Sequence, residues 1–238
     1  MTLNQYPLLI PLAPLIAALI TAFPFRNKIL PNYLFSWWLM IVSFLVSLLQ
    51  LARVIQEPEF NQIVLFSWGW SLLPEVAMSV DRLSSVMMVF ISGFGVLLYR
   101  YSVRYLQQDA GYDRYLTLFA LCISSLLFMV SCADFIMLFI FWQLLSWFLS
   151  LLSHNYLHGP TIKSGFRTFI ILRAGDLTFI AGIALAYHLY GTLEFNLIFA
   201  RASIDQTIFS IFGSGLQLTG VTLVTILIFI GAMSKSAQ

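Results

Sequence analysis

The sequence predicts an all-α integral membrane protein with about seven transmembrane helices, a fold class that rests on three observations. Apolar residues fill 60% of the 238 positions and charged residues 9%, against roughly half and a quarter in a soluble domain. Several windows reach the about 20 apolar residues that a spanning helix needs without a single charge. The runs are also too long and too uniformly apolar for the short alternating strands of a membrane barrel, and helices satisfy their own backbone groups segment by segment in hydrocarbon.

Apolar windows and their breakers place spans near Pro7–Phe23, Leu34–Leu51, Leu83–Tyr99, Tyr115–Ser131, Phe135–Leu152, Phe169–Tyr190 and Phe209–Met233. The N-terminus lacks the charged head and small-residue cleavage site of a signal peptide, so the first span is expected to be retained. Between spans two and three, the long stretch from Glu57 to Val80 contains Phe66-Ser67-Trp68-Gly69-Trp70, residues that favour a membrane interface and permit a small hairpin. No repeat, low-complexity tract or linker divides the chain, and residues 1–238 read as one polytopic membrane domain.

Loop charges orient these spans. The first, third and fifth loops hold Arg26, Lys28, Arg100, Arg104, Arg114, Lys163 and Arg167, while the second and sixth hold Arg53 and Arg201. By the positive-inside rule the odd loops are cytoplasmic and the N-terminus lies on the other side. The net charge of +2, with no basic run to track a phosphate backbone, argues against nucleic acid as a partner. Cys122 and Cys132 lie in apolar sequence and suggest neither a disulfide framework nor a metal site. Phosphate-cradling glycine loops, nucleophile elbows and zinc-ligand spacings are missing, so no cofactor and no substrate chemistry are expected in this chain.

The few polar residues inside the spans carry the functional reading, because ionisable groups in lipid need a partner or a role. Arg173 and Asp176 stand three apart in span six, on one helix face, either as a neutralised structural pair or as charges supporting a neighbouring ion path. In span five, Gln143, Ser146 and Ser150 form one narrow polar stripe that should face protein or water; it serves either as interhelical glue or as a polar path. Lys235 follows a long uncharged stretch and the small residues Gly231, Ala232 and Ser234, which allow close packing or an unwound turn. It is either a snorkelling lysine at a helix end or a lysine withdrawn from water that exchanges a proton near neutral pH. His154 and His158 lie four apart beyond span five, with His188 at the end of span six; interfacial histidines are the expectation, since no carboxylate or thiolate neighbour completes a metal site.

A series of short motifs then resembles a known family. Asp81-Arg82-Leu83-Ser84, Tyr101-Ser102 through Tyr105, Trp142-Gln143, Arg173-Ala174-Gly175-Asp176, Tyr190-Gly191-Thr192-Leu193, and Gly231-Ala232 with Lys235-Ser236-Ala237-Gln238 occur in the order seen in antiporter-like membrane subunits. That family includes the large distal subunit of respiratory complex I, the Mrp cation/proton antiporters and the membrane subunit of the DAB-type inorganic-carbon uptake complex, and the resemblance covers essentially the whole chain. It implies the N-terminal part of an antiporter-like inverted-repeat fold in a cell inner (plasma) membrane. In the family, a span-five glutamate after the tryptophan and a lysine in a broken span seven handle protons. By position these are Gln143 and Lys235, and Arg173 and Asp176 match the span-six motif as they stand. Gln143 is a departure, because a neutral amide cannot titrate, and the complex I or Mrp scheme does not transfer unchanged.

The stretch from Tyr99 to Leu106 and the altered span five look more like the carbon-uptake subunit than like complex I. That branch implies a large soluble zinc-containing partner resembling carbonic anhydrase; the complex I branch, with NADH-quinone oxidoreductase, implies other membrane subunits. A non-transporting scaffold is the rival from another class. Family members continue past the lysine span into a second inverted repeat, so a fragment, a split gene or a separately supplied second half is expected at Gln238.

Overall fold

A computed structural model of the chain describes residues 6–22, 32–56, 61–66, 76–106, 111–153, 159–204, 207–210 and 217–235. A short 3-10 turn leads into α1 (Leu9–Ala22), followed by α2 (Asn32–Gln56), strands β1 (Asn61–Phe66) and β2 (Val76–Val80), and α3 (Arg82–Tyr105). Then come α4 (Tyr112–Val130), α5 (Phe135–Leu152), α6 (Gly159–Tyr190), α7 (Phe195–Ala202), β3 (Ile208–Ser210), β4 (Gln217–Thr219) and α8 (Gly220–Met233). Among the described residues, five helices are long and apolar enough to cross a membrane, and two shorter apolar segments, Tyr6–Ala22 and Gly220–Met233, accompany them.

The helix boundaries follow local chemistry. Asp81 caps α3 reciprocally with Ser84: its carboxylate accepts from the Ser84 amide at 2.7 Å, and the Ser84 hydroxyl accepts from the Asp81 amide at 2.8 Å. Asp134 caps α5 through the Met137 amide at 2.7 Å. Gly191, at φ 64°, closes α6 in the left-handed region while its amide donates to the Tyr187 carbonyl at 2.8 Å.

Two boundaries correct the sequence expectation. The sixth helix starts at Gly159 and not near Phe169, because the polar residues of its first turns end the apolar window without breaking the helix, and Pro160 stands where a missing amide costs nothing. The expected seventh span from Phe209 is part β3–β4 hairpin and part helix: β3 pairs with β4 from Ile208↔Thr219 to Ser210↔Gln217, and Thr219 then caps α8. Apolar content alone cannot separate a buried strand from a helix. The amphipathic α7, eight residues long, lies in a stretch read as loop. In the second loop, where the sequence permits a small hairpin, β1 and β2 form one, Asn61 opposite Val80 and a bulge between Val64 and Phe66, whereas Trp68 and Trp70 lie outside the described residues.

Between apolar helices in lipid, hydrogen bonds and close packing replace the hydrophobic drive, each polar contact worth about 1 kcal/mol. Here α1 packs between α2 and α4, and serines reach its carbonyls. Pro14 has no amide to give the Ile10 carbonyl, and the Ser43 hydroxyl donates to that carbonyl at 2.6 Å. Ser124 serves Pro11 at 2.9 Å and Ser36 serves Ala17 at 3.1 Å. A second cluster joins α6, α7 and α8 around Ala186, Tyr190, Ile198 and Val224.

The loops at one end are laced together. The Ser79 amide donates to the Ser131 carbonyl at 2.8 Å, Ala133 to Ala77 at 3.2 Å, and Phe135 to Leu193 at 3.0 Å. The second, fourth and sixth loops therefore share one face, as the alternation of spans requires. Arg82, in the first turn of α3, also lies at this face, so the charge asymmetry is seven basic residues against Arg53, Arg82 and Arg201.

Candidate functional site

The polar residues that stood apart in sequence meet where α8 ends against α5 and α6. Small residues permit the approach. A Cβ on Gly231 would sit 2.7 Å from Phe179 Cβ and 3.0 Å from its Cα, and one on Gly182 would sit 2.8 Å from Ile228. Gly175 lies directly against Ser234, leaving no room for a side chain.

That contact delivers Lys235 to the middle of α5. Its Nζ donates to the Trp142 carbonyl at 2.7 Å and to the Ser146 hydroxyl, and lies 4.2 Å from the centroid of the Trp142 ring. Ser146 is 1% exposed and itself donates to the Trp142 carbonyl at 3.0 Å. An ammonium needs acceptors when it leaves water, and a carbonyl, a hydroxyl and an aromatic face supply them.

Trp142 is the junction. Its indole N–H donates to Asp176 Oδ1 at 2.8 Å, and its ring stacks on Phe179 at 4.6 Å. Asp176, 2% exposed, also pairs with Arg173 at 3.3 Å. Arg173 donates as well to the Gln143 side-chain carbonyl, and its guanidinium lies over the rings of Phe169 (4.9 Å) and Trp147 (5.3 Å). The chain of contacts runs from Lys235 through Trp142 to Asp176, Arg173 and Gln143. A charge change at one end therefore meets fixed charges two contacts away, in surroundings where such effects are weakly screened.

Five of the six sequence candidates enter this cluster: Gln143, Ser146, Arg173, Asp176 and Lys235. Ser150 does not, because its hydroxyl donates to the Trp147 carbonyl at 2.8 Å, although it is buried as the stripe required. His154 and His158 lie outside the described residues, and His188 is exposed near the end of α6. The residue that spacing missed is Trp142. A tryptophan deep in an apolar span carries an N–H that needs an acceptor, and that was the available signal.

Comparison with known proteins bears on the family and the fold. The family described as "NADH-Ubiquinone oxidoreductase (complex I), chain 5 N-terminus" matches residues 71–116, and "NADH:quinone oxidoreductase/Mrp antiporter, TM" matches residues 132–238. The "Probable inorganic carbon transporter subunit DabB1" of Halothiobacillus neapolitanus is 34% identical over 67% of this chain and 28% of its own length. The chloroplastic "NAD(P)H-quinone oxidoreductase subunit 5" of Zygnema circumcarinatum is 29% identical over 100% of this chain and 34% of its own. The chain thus spans about a third of the length of these relatives. In fold, it is similar to a chain of the membrane-bound sulfane sulfur reductase, an archaeal respiratory membrane complex, with a TM-score of 0.76 at 19% identity over 95% of this chain and 44% of that one. With both family regions matched in order, in a bundle of apolar helices, the chain belongs to the antiporter-like membrane subunits of the complex I and Mrp family.

Proposed function

We propose that this chain is an ion-translocating part of an antiporter-like subunit, in which Lys235 carries the proton, Arg173 and Asp176 bias its charge, and Gln143 with Ser146 provides non-titrating polar contacts. One observation carries the reading: Lys235 Nζ hydrogen-bonds at the level of Trp142, near the middle of a spanning helix. α8 has 14 residues, about 21 Å of helix, whereas the hydrocarbon is about 30 Å thick. Lys235, fifteen residues beyond the start of α8 at the laced face, therefore lies about 22 Å along the rise, short of the far side of the hydrocarbon, and presents an ammonium inside the bundle. A snorkelling lysine would extend towards an interface and not to a mid-span carbonyl.

The test compares two substitutions at equal membrane abundance, in the form that carries whatever completes the path. Lys235→Met keeps length and apolar stem but cannot hold a proton, and should abolish energy-coupled activity. Lys235→Arg keeps the charge but does not release it at physiological pH, and should fail equally. An active arginine variant would end the proton-carrier assignment.

Within that reading, the complex is one for inorganic-carbon uptake in the inner membrane, with a large soluble zinc-containing partner. The higher identity to DabB1 supports this branch. The match of subunit 5 along the whole chain favours a quinone-reducing complex as the second reading. Co-purification decides between them: one large soluble zinc protein supports the first, a set of respiratory membrane subunits the second. Growth dependence on carbon dioxide, lost in Lys235→Met, must accompany the first.

A further inference from the structure

We propose that the cytoplasmic end of α3 is a binding site for one anionic phospholipid, held by its headgroup phosphate between Arg100 and Arg104. An open groove of about 470 Å³ is lined there by Leu97, Arg100, Tyr101, Arg104 and Tyr105. Its volume falls within the range of sites that hold small ligands, about 300–1,000 Å³.

The two arginines stand one helical turn apart on the same face. Arg100 is half-buried and its guanidinium lies 4.8 Å from the centroid of the Trp37 ring, which fixes its direction without neutralising it. Arg104 is exposed and makes no hydrogen bond, ion pair or ring contact among the described residues. Two cations converge on one groove, and no described carboxylate pairs with either; the complementary ligand is an anion.

The remaining walls say which anion. Tyr101 and Tyr105 stack at 5.5 Å with an interplanar angle of 13°, both largely exposed, forming a flat aromatic wall beside the arginines. Below them, Leu97, Phe94 and Phe90 continue the same face as an exposed apolar stripe. A free phosphate would use the arginines alone, whereas a phospholipid uses every wall, with its acyl chain along Leu97 and Phe94. Depth agrees: α3 has 24 residues, about 36 Å, so with Asp81 and Arg82 at one interface, Arg100 to Tyr105 reach the other across about 30 Å of hydrocarbon. By the loop charges that interface is cytoplasmic, the leaflet where anionic lipids meet juxtamembrane basic residues.

The full chain is purified in detergent and exchanged into nanodiscs of equimolar phosphatidylglycerol and phosphatidylcholine, and the retained lipid is counted by native mass spectrometry. One phosphatidylglycerol should be retained in preference to phosphatidylcholine. Arg100→Gln/Arg104→Gln should lose that preference by roughly thirtyfold, the effect expected of removing two basic side chains at the surface. Arg167→Gln, an exposed cytoplasmic-side arginine on α6, should keep it. Equal retention of the two lipids by the wild type, or an unchanged preference in the double variant, would overturn the site. So would a photo-crosslinker at Leu97 that captures a membrane protein in native membranes while no lipid adduct forms, since this face would then be a protein interface.

Discussion

Trp142 meets two opposite charges with different parts of one side chain and backbone: its carbonyl and ring face the Lys235 ammonium, and its N–H holds the Asp176 carboxylate. Substitution can separate these contributions. Asp176→Asn keeps an oxygen for the indole but removes the counter-charge of Arg173, and breaking a buried pair this way costs about 3–5 kcal/mol. The lower end applies, because the Arg173 side chain is 31% exposed and still has Gln143 and two rings. Trp142→Phe keeps a ring for Lys235 and Phe179 but removes one donor from a buried carboxylate, a loss of about 1–3 kcal/mol. Thermal unfolding in detergent should rank Asp176→Asn below Trp142→Phe, and both below the parent. A reversed order would mean that ring packing and not charge holds the site together. The Arg173–Asp176 pair was legible in sequence, since three residues along a helix place two side chains on one face. The Trp142 link was not, because spacing within one helix cannot say which other helix faces it.

At the scale of elements, the site exists because α8 lies almost backbone to backbone on α6. Gly231→Ala would drive a Cβ against Phe179 Cβ and Cα, and a backbone atom cannot turn aside. Phe179 is also the ring on which Trp142 stacks, so the displacement passes directly to the residue that receives Lys235. The expected outcome is a fall in unfolding temperature corresponding to about 1–3 kcal/mol, the usual penalty of overpacking, together with lost activity. If stability falls while activity at equal abundance is unchanged, the α6–α8 contact does not set the position of Lys235. The small residues around position 231 were visible in sequence as a packing signal. The β3–β4 hairpin ahead of α8 was not, since Ile208, Phe209 and Leu218 suit a strand as well as a span.

For the whole molecule, the order of the long helices was legible because a span must carry its apolar residues in one continuous run. Which ends lie together follows from contacts that no single segment contains. At the laced face, backbone hydrogen bonds join the loops after α2, α4 and α6. At the opposite face, the Arg114 guanidinium donates to the Leu151 carbonyl at 2.7 Å, and the Thr117 hydroxyl to Thr21 at 3.0 Å, tying the start of α4 to the ends of α5 and α1. These ties make topology all-or-none: reporters fused at Lys28, Gln108 and Gly159 must agree with one another and oppose one fused at Ser131. The expectation for which face is cytoplasmic comes from the loop charges in the sequence, seven basic residues in the odd loops against Arg53, Arg82 and Arg201. Reporters at Lys28, Gln108 and Gly159 are therefore expected in the cytoplasm and the Ser131 reporter outside. All four reversed would leave the bundle intact and overturn the charge argument, moving the Arg100 and Arg104 groove to the outer leaflet. A Gly159 reporter that alone fell outside would mean that α5 does not cross, and Lys235 would then lose the mid-membrane depth on which its proposed role rests.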